Sequence, residues 1–187
     1  MVRRPTTVKH KVLIFSPHPD DDVISMGGTL KKLHDEGHEV HVAYMTSGSN
    51  GVPDLEARKY VNFMKDFTNE YCWKKATSEN KGFINDFNKL LDEADKIYDL
   101  PKEEERKTDL NWQIKKYIRS SEAKIALNFL GIPSSRAYCL NLPFYGTNHF
   151  NRKNPTEEDY EQIRTLLRLI EPTVIFAAGI LYFRQVI

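Results

Sequence analysis

The sequence predicts an α/β fold, a single domain with a parallel sheet flanked by helices. Three observations predict it. The runs Val12-Leu13-Ile14-Phe15 and Thr173 to Ala178 are short and apolar throughout, as buried parallel strands are. From Lys11 the chain reads strand, helix, strand within about 35 residues, the span of a βαβ unit with a right-handed crossover. The polar segment Ser16-Pro17-His18-Pro19-Asp20-Asp21-Asp22 then falls at the carboxyl end of the first strand, the rim where open α/β sheets bind ligands.

A chain of 187 residues is long enough for one domain with its own core. With 40% apolar and 28% charged residues it has an ordinary globular composition. A formal net charge of +1 supplies no global field toward nucleic acid or a membrane. No apolar run approaches the length of a bilayer span. The start, Met1 to Lys11, is polar and basic and does not read as a signal peptide. Cys72 and Cys139 are expected to be reduced and buried in a cytoplasmic protein.

Residues 1–10 read as a linker, because Arg3-Arg4-Pro5-Thr6-Thr7 has the composition of an interdomain tether. The first strand runs from Lys11 to Ser16, and Pro17 and Pro19 stiffen the loop after it. A helix is expected from Ser25 to about Glu36, with one of Asp20, Asp21 or Asp22 at its cap. Gly27-Gly28 inside it costs about 2 kcal/mol in propensity, which predicts a close approach of the sheet or a ligand. Gly37 stops the helix, and His38 to Met45 alternates as a second strand. The small-residue loop Thr46-Ser47-Gly48-Ser49-Asn50-Gly51 follows on the same rim as His18.

From Asp54 to Leu130 the spacing is helical, in three stripes. Tyr60, Phe63, Met64, Phe67 and Tyr71 form the first. Phe83, Phe87, Leu90, Leu91, Ala94, Ile97 and Tyr98 form the second, and Leu110, Ile114, Tyr117, Ile118 and Ile125 the third. The aromatic stripes are expected in the core, with Trp73 and Trp112 at packing or an interface. Pro101 and Lys102-Glu103-Glu104-Glu105-Arg106-Lys107 mark a solvated turn. Residues 77–107 exceed what a βα unit needs and read as a helical excursion, either a lid or a homo-oligomer contact. A strand at Arg136 to Leu140, an aromatic rim loop at Leu142 to Phe150, a capping box at Pro155 to Asp159 opening a helix to Glu171, and a strand at Thr173 to Ala178 complete the chain.

The chemistry concentrates in the loop after the first strand. His18 and Asp21 can both reach one cation from a tight turn, and imidazole with carboxylate suits a catalytic zinc site once a third ligand joins. Asp20 points away from Asp21 in such a turn and can accept a proton from an activated water. Asp22 is placed to cap the helix or to support His18. From spacing alone, a helix cap beside a surface histidine remains equally open.

Pro17-His18-Pro19-Asp20-Asp21-Asp22, then Gly27-Gly28-Thr29, Gly37-His38-Glu39-Val40 and Thr46-Ser47-Gly48, resemble the PIG-L/LmbE family of zinc-dependent deacetylases of N-acetylglucosamine-type substrates. Arg119-Ser120-Ser121-Glu122 is similar to the family's Arg-x-x-Glu segment. The resemblance implies a Rossmann-like three-layer sandwich with a mostly parallel sheet, carrying a helical insertion at about residues 77–107. It implies zinc or another divalent cation on His18 and Asp21, Asp20 as general base, and substrate contacts from Arg119 and Ser47; His149, on a rim loop, is read as a further substrate contact. The loop Leu142-Pro143-Phe144-Tyr145 and the tether-like start are similar to members fused behind a glucosamine-6-phosphate deaminase-like domain. An upstream domain of that kind is therefore an expected partner, beside an amino-sugar substrate.

One departure stands out. The family draws a third zinc ligand and an acid histidine from a His-x-x-His-like segment after the fourth strand. Here Gly179-Ile180-Leu181-Tyr182-Phe183-Arg184-Gln185-Val186-Ile187 follows, with no histidine. The expectation is a chain truncated or altered at its end. His149 is the best substitute, since it sits on a rim loop. His34 and His38 flank a glycine stop and are expected in solvent, His41 belongs to a strand, and His10 lies at the wrong end of the sheet. The leading reading is a metal-dependent N-deacetylase, and the runner-up is an inactive, sugar-binding fragment. A dinucleotide site ranks last, because the first loop lacks G-x-G-x-x-G and its acids repel a pyrophosphate.

Overall fold

The structure, a computed structural model, describes residues 8–145 and 154–178. It contains two compact units. One comprises the described parts of residues 1–48 and 119–187, the other residues 49–118.

The first unit holds the sheet. Strands β1 (Lys11–Ser16), β2 (Glu39–Tyr44), β3 (Ala137–Cys139) and β4 (Val174–Ala177) are all parallel, in the order β3-β2-β1-β4. Helix α1 (Asp21–Asp35) connects β1 to β2, and α5 (Glu157–Ile170) connects β3 to β4. Helix α4 (Asp109–Phe129) gives this unit its second half. Period-two alternation sends the strand side chains to opposite faces. Val12, Ile14, Val40, Val42 and Tyr44 pack with Leu30 of α1 and with Ala123 and Leu127 of α4. Leu13 and Ala43 pack with Leu166 and Ile170 of α5 on the other face. Each of the valine, leucine and isoleucine side chains contributes about 1.5–3 kcal/mol on full burial. The result is the expected three-layer arrangement. Because β4 returns to the far side of β1, the strand order reverses at β1, and the loop bearing His18 leaves the sheet at that switch point.

Several local expectations change. Helix α1 begins at Asp21, not Ser25, so Asp21 and Asp22 form its first turn. The turn is helical because the Asp20 carbonyl already accepts the Ile24 amide at 2.9 Å. Nothing lies within 4 Å of where a Cβ on Gly28 would sit, and Gly27 would meet only the Val23 Cβ at 4.0 Å. The expected close approach at this pair is thus absent among the described residues. His38 is buried, not solvated, because its Nδ1 accepts the His10 amide at 3.1 Å. Cys72 and Cys139 are free but only half-buried. The capping box at Thr156 and Asp159 forms as expected, and the Asp159 carboxylate also accepts the Phe144 amide at 2.8 Å, tying the rim loop to α5.

The second unit is helical. It contains α2 (Asp54–Asp66), a π-helical turn at Phe67–Cys72, α3 (Lys81–Ile97) and the first half of α4. Its core is Val52, Ala57, Val61, Leu91, Ala94, Tyr98 and Ile118. The first aromatic stripe is a correction. Phe63, Phe67 and Tyr71 stack as a ladder, with centroids 6.2 and 5.3 Å apart, yet they face solvent. The side of α2 that packs against α3 is the one carrying the small residues Ala57 and Val61, which allow the helices to approach closely. Phe83, Tyr117 and Ile125 are likewise exposed.

Asp54 anchors this unit's polar network. Its carboxylate meets Lys115 Nζ at 2.6 Å and Arg106 Nε at 3.3 Å, and accepts the Asn111 amide at 3.3 Å. Arg106 thereby leaves the otherwise exposed charge run. Burial pushes the Asp54 pKa up, but Lys115, Asn111 and Arg106 together hold it below the usual carboxylate range. Between the depressed folded value and the unfolded value of about 3.9, the unfolded chain binds more protons. The stability that this group contributes is therefore complete above about pH 4 and is lost as pH falls through the folded value. Asp54→Asn should lower stability at pH 7 by about 1–3 kcal/mol and flatten the acid side of the profile. Urea midpoints measured from pH 3 to 7 check both. No helix among the described residues is long and apolar enough to cross a membrane.

Candidate active site

The site is assembled from the loop after β1. Proline at 17 and 19 restricts the backbone, and the amides of Asp20 and Asp21 turn back to the His18 carbonyl at 2.8 and 3.4 Å. This tight turn brings His18 and Asp21 together. Asp21 Oδ2 lies 2.9 Å from His18 Nδ1 and accepts the His18 backbone amide at 3.0 Å. Asp20 diverges from that pair. Its Oδ2 meets Arg119 Nη2 at 2.7 Å, and Arg119 Nη1 donates to Glu122 at 2.9 Å. Burial pulls the Arg119 pKa down, but the two carboxylates outweigh it and the guanidinium stays charged.

The loop after β2 braces the one after β1. The Met45 amide donates to the Ser16 carbonyl at 2.9 Å, and the amide and hydroxyl of Thr46 both donate to the Pro17 carbonyl at 3.1 and 2.8 Å. Gly48 has φ +64°, and a Cβ there would lie 2.6 Å from Pro19 Cδ and 3.3 Å from Arg119 Nε. Glycine is required on both counts, conformation and space. It lets the Ser47 loop close onto Pro19 and Arg119. The Arg119 Nε itself is buried without a hydrogen-bond partner among the described residues.

The structure thus gathers His18, Asp20, Asp21 and Arg119, with Ser47 half-buried in the adjoining loop. His149 and the segment 179–187 lie outside the described residues. Glu122 enters as the second carboxylate on Arg119. Beneath the loop, Asp22 and Tyr44 are buried and bonded to one another. Burial pushes the Asp22 carboxyl up, against the opposing pull of the Tyr44 hydroxyl. Asp22 therefore sits within the first turn of α1 and is not its cap. The alternation of β2 already placed Tyr44 inward, but nothing local in the sequence pairs it with Asp22.

Imidazole nitrogen and carboxylate oxygen suit zinc and similar cations, with bonds of about 2.0–2.2 Å. Donors 2.9 Å apart, as here, are close enough to share one such ion. Among the described residues, no group of three or more histidine, cysteine or acidic side chains converges as a metal site. The pair fits a cation as two ligands of a larger set.

Comparison with known proteins identifies the family of the chain. The family described as GlcNAc-PI de-N-acetylase, PIG-L, matches residues 13–181. The chain belongs to this family. A glucosamine-6-phosphate deaminase-like protein of Bacteroides thetaiotaomicron is 41% identical over 175 residues, covering 90% of this chain and 24% of that protein. A diacetylchitobiose deacetylase of Thermococcus kodakarensis is 46% identical over 55 residues, covering 29% of this chain and 21% of that protein. The matched segment covers less than a quarter of the length of each of these two curated relatives. No solved structure matches it.

Proposed function

We propose that this PIG-L domain hydrolyses the N-acetyl group of an N-acetylglucosamine-type sugar with the help of a divalent cation, zinc being the expected one. The observation that carries the reading is the division of labour between adjacent carboxylates. Asp21 is turned to His18 at 2.9 Å, whereas Asp20 is held by Arg119 at 2.7 Å. A cation on His18 and Asp21 would polarise the acetamide carbonyl and make a water more acidic.

Asp20 takes the proton as the water oxygen bonds to the carbonyl carbon. The carbon–nitrogen bond then breaks, and the proton passes from Asp20 to the departing amine, leaving acetate and the free amino sugar. Arg119 keeps one Asp20 oxygen engaged, so that the other is presented to the water. Ser47, in the loop next to Arg119, is placed to meet a sugar hydroxyl.

A second reading has one observation in its favour, that only two cation donors converge among the described residues. It is a sugar-binding domain without turnover, acting beside a deaminase-like module in a longer protein. The test is acetate release from N,N′-diacetylchitobiose and from N-acetylglucosamine, with one equivalent of zinc and with chelator. The hydrolase reading expects zinc-dependent acetate from at least one of the two. Saturable sugar binding with no acetate above background selects the second reading.

A further inference from the structure

Ser16 and Tyr44 end β1 and β2 and are register partners. Both are fully buried. The Ser16 hydroxyl donates to the His18 carbonyl at 2.7 Å and accepts the Asp22 amide at 3.0 Å, so one side chain holds both ends of the turn that carries His18 and Asp21. The Tyr44 hydroxyl donates to Asp22 Oδ2 at 3.0 Å. Asp22 is 1% exposed, and its Oδ1 has no hydrogen-bond partner among the described residues. A buried carboxylate short of donors is a costly feature unless its placement matters.

We propose that Tyr44 and Asp22 are positioning residues for the cation pair. Asp22 is the residue after Asp21 in the first turn of α1. Anchoring its side chain to the end of β2 fixes the rotation of that turn, and hence the direction of the Asp21 carboxylate relative to His18. The end of β1 sets the His18 backbone through Ser16, so the two donors are referenced to adjacent, hydrogen-bonded strands. Supporting contacts of this kind typically change metal affinity by about 10–100-fold. The inference rests on the cation site proposed above, and it differs from a purely structural role in one respect. A structural contact alters stability, whereas a positioning contact alters affinity at a given stability.

The experiment measures zinc affinity of the folded chain by competition with a chromophoric chelator, alongside urea stability. Tyr44→Phe and Asp22→Ala should each bind zinc at least about tenfold more weakly than the unmodified chain. Asp22→Asn retains an oxygen for the Tyr44 hydroxyl and should stay within about threefold of the unmodified chain. Leu166→Ala, in the core on the opposite face of the sheet, should lose stability without losing affinity. Equal affinities for Tyr44→Phe, Asp22→Ala and the unmodified chain overturn the positioning role alone. Should Tyr44→Phe fail to fold, Asp22→Ala against Asp22→Asn gives the same decision. An unmodified chain that binds no zinc overturns the cation site, and this inference with it.

Discussion

Replacing Asp20 with asparagine should lower zinc-dependent acetate release by about 10²–10⁴-fold, the usual contribution of a general base. The amide is nearly isosteric and keeps an oxygen for Arg119, but it cannot accept the proton. Asp20 is partly solvent-exposed and its side chain makes no capping bond at the α1 terminus. Arg119 is the more buried member of the pair, so the fold should lose about 1–2 kcal/mol. Zinc binding should be unchanged, because Asp20 faces Arg119 and not His18. The combination of lost turnover, retained metal and retained fold is specific to a proton-transfer role. A variant that still releases acetate at the original rate places the base elsewhere.

Replacing His18 with alanine should abolish both metal loading and turnover. In the proposed site the imidazole is one of the two donors, and removing one ligand from a small set leaves a carboxylate that holds zinc weakly. The expected result is zinc content falling from about one equivalent to below about a tenth after dialysis, with acetate release at background. Stability should fall little, since the ring is 39% exposed and the backbone amide of residue 18 can still donate to Asp21. Metal analysis of the dialysed protein, read beside a urea curve, checks the prediction. Full zinc content in His18→Ala would place the cation on other residues. The two substitutions are one position apart from Pro19 on either side, yet they predict opposite outcomes for metal content, so together they test the assignment of roles within the loop.

The four parallel strands and the turn that brings His18 beside Asp21 were legible in the sequence. Both depend on signals that are local. The apolar runs at Val12 and Val174 lack alternation, and a polar cluster interrupted by prolines follows the first of them. Other features were illegible because they depend on what lies opposite. Phe63, Phe67 and Tyr71 show helical spacing, but spacing identifies a stripe and not the neighbour that covers it. In the folded unit that neighbour, α3, lies against Ala57 and Val61 instead. His38 looked solvated beside a glycine stop, and its burial depends on the His10 amide 28 positions earlier. The start of α1 was misplaced for a similar reason. Asp20 takes the cap position as expected but makes no side-chain capping bond, because the three carboxylates are occupied by Arg119, His18 and Tyr44.

The sequence by itself determined a parallel α/β sheet, the proline-stiffened acidic turn at the end of β1 and membership of a deacetylase family, because short-range patterning and contiguous motifs specify all three. Only the tertiary structure supplied the partners of Asp20 and Asp22, which are Arg119 and Tyr44. Neighbouring aspartates are chemically identical along the chain, and they become different when Arg119 and Tyr44, each supplied by a distant element, approach one of them and not the others.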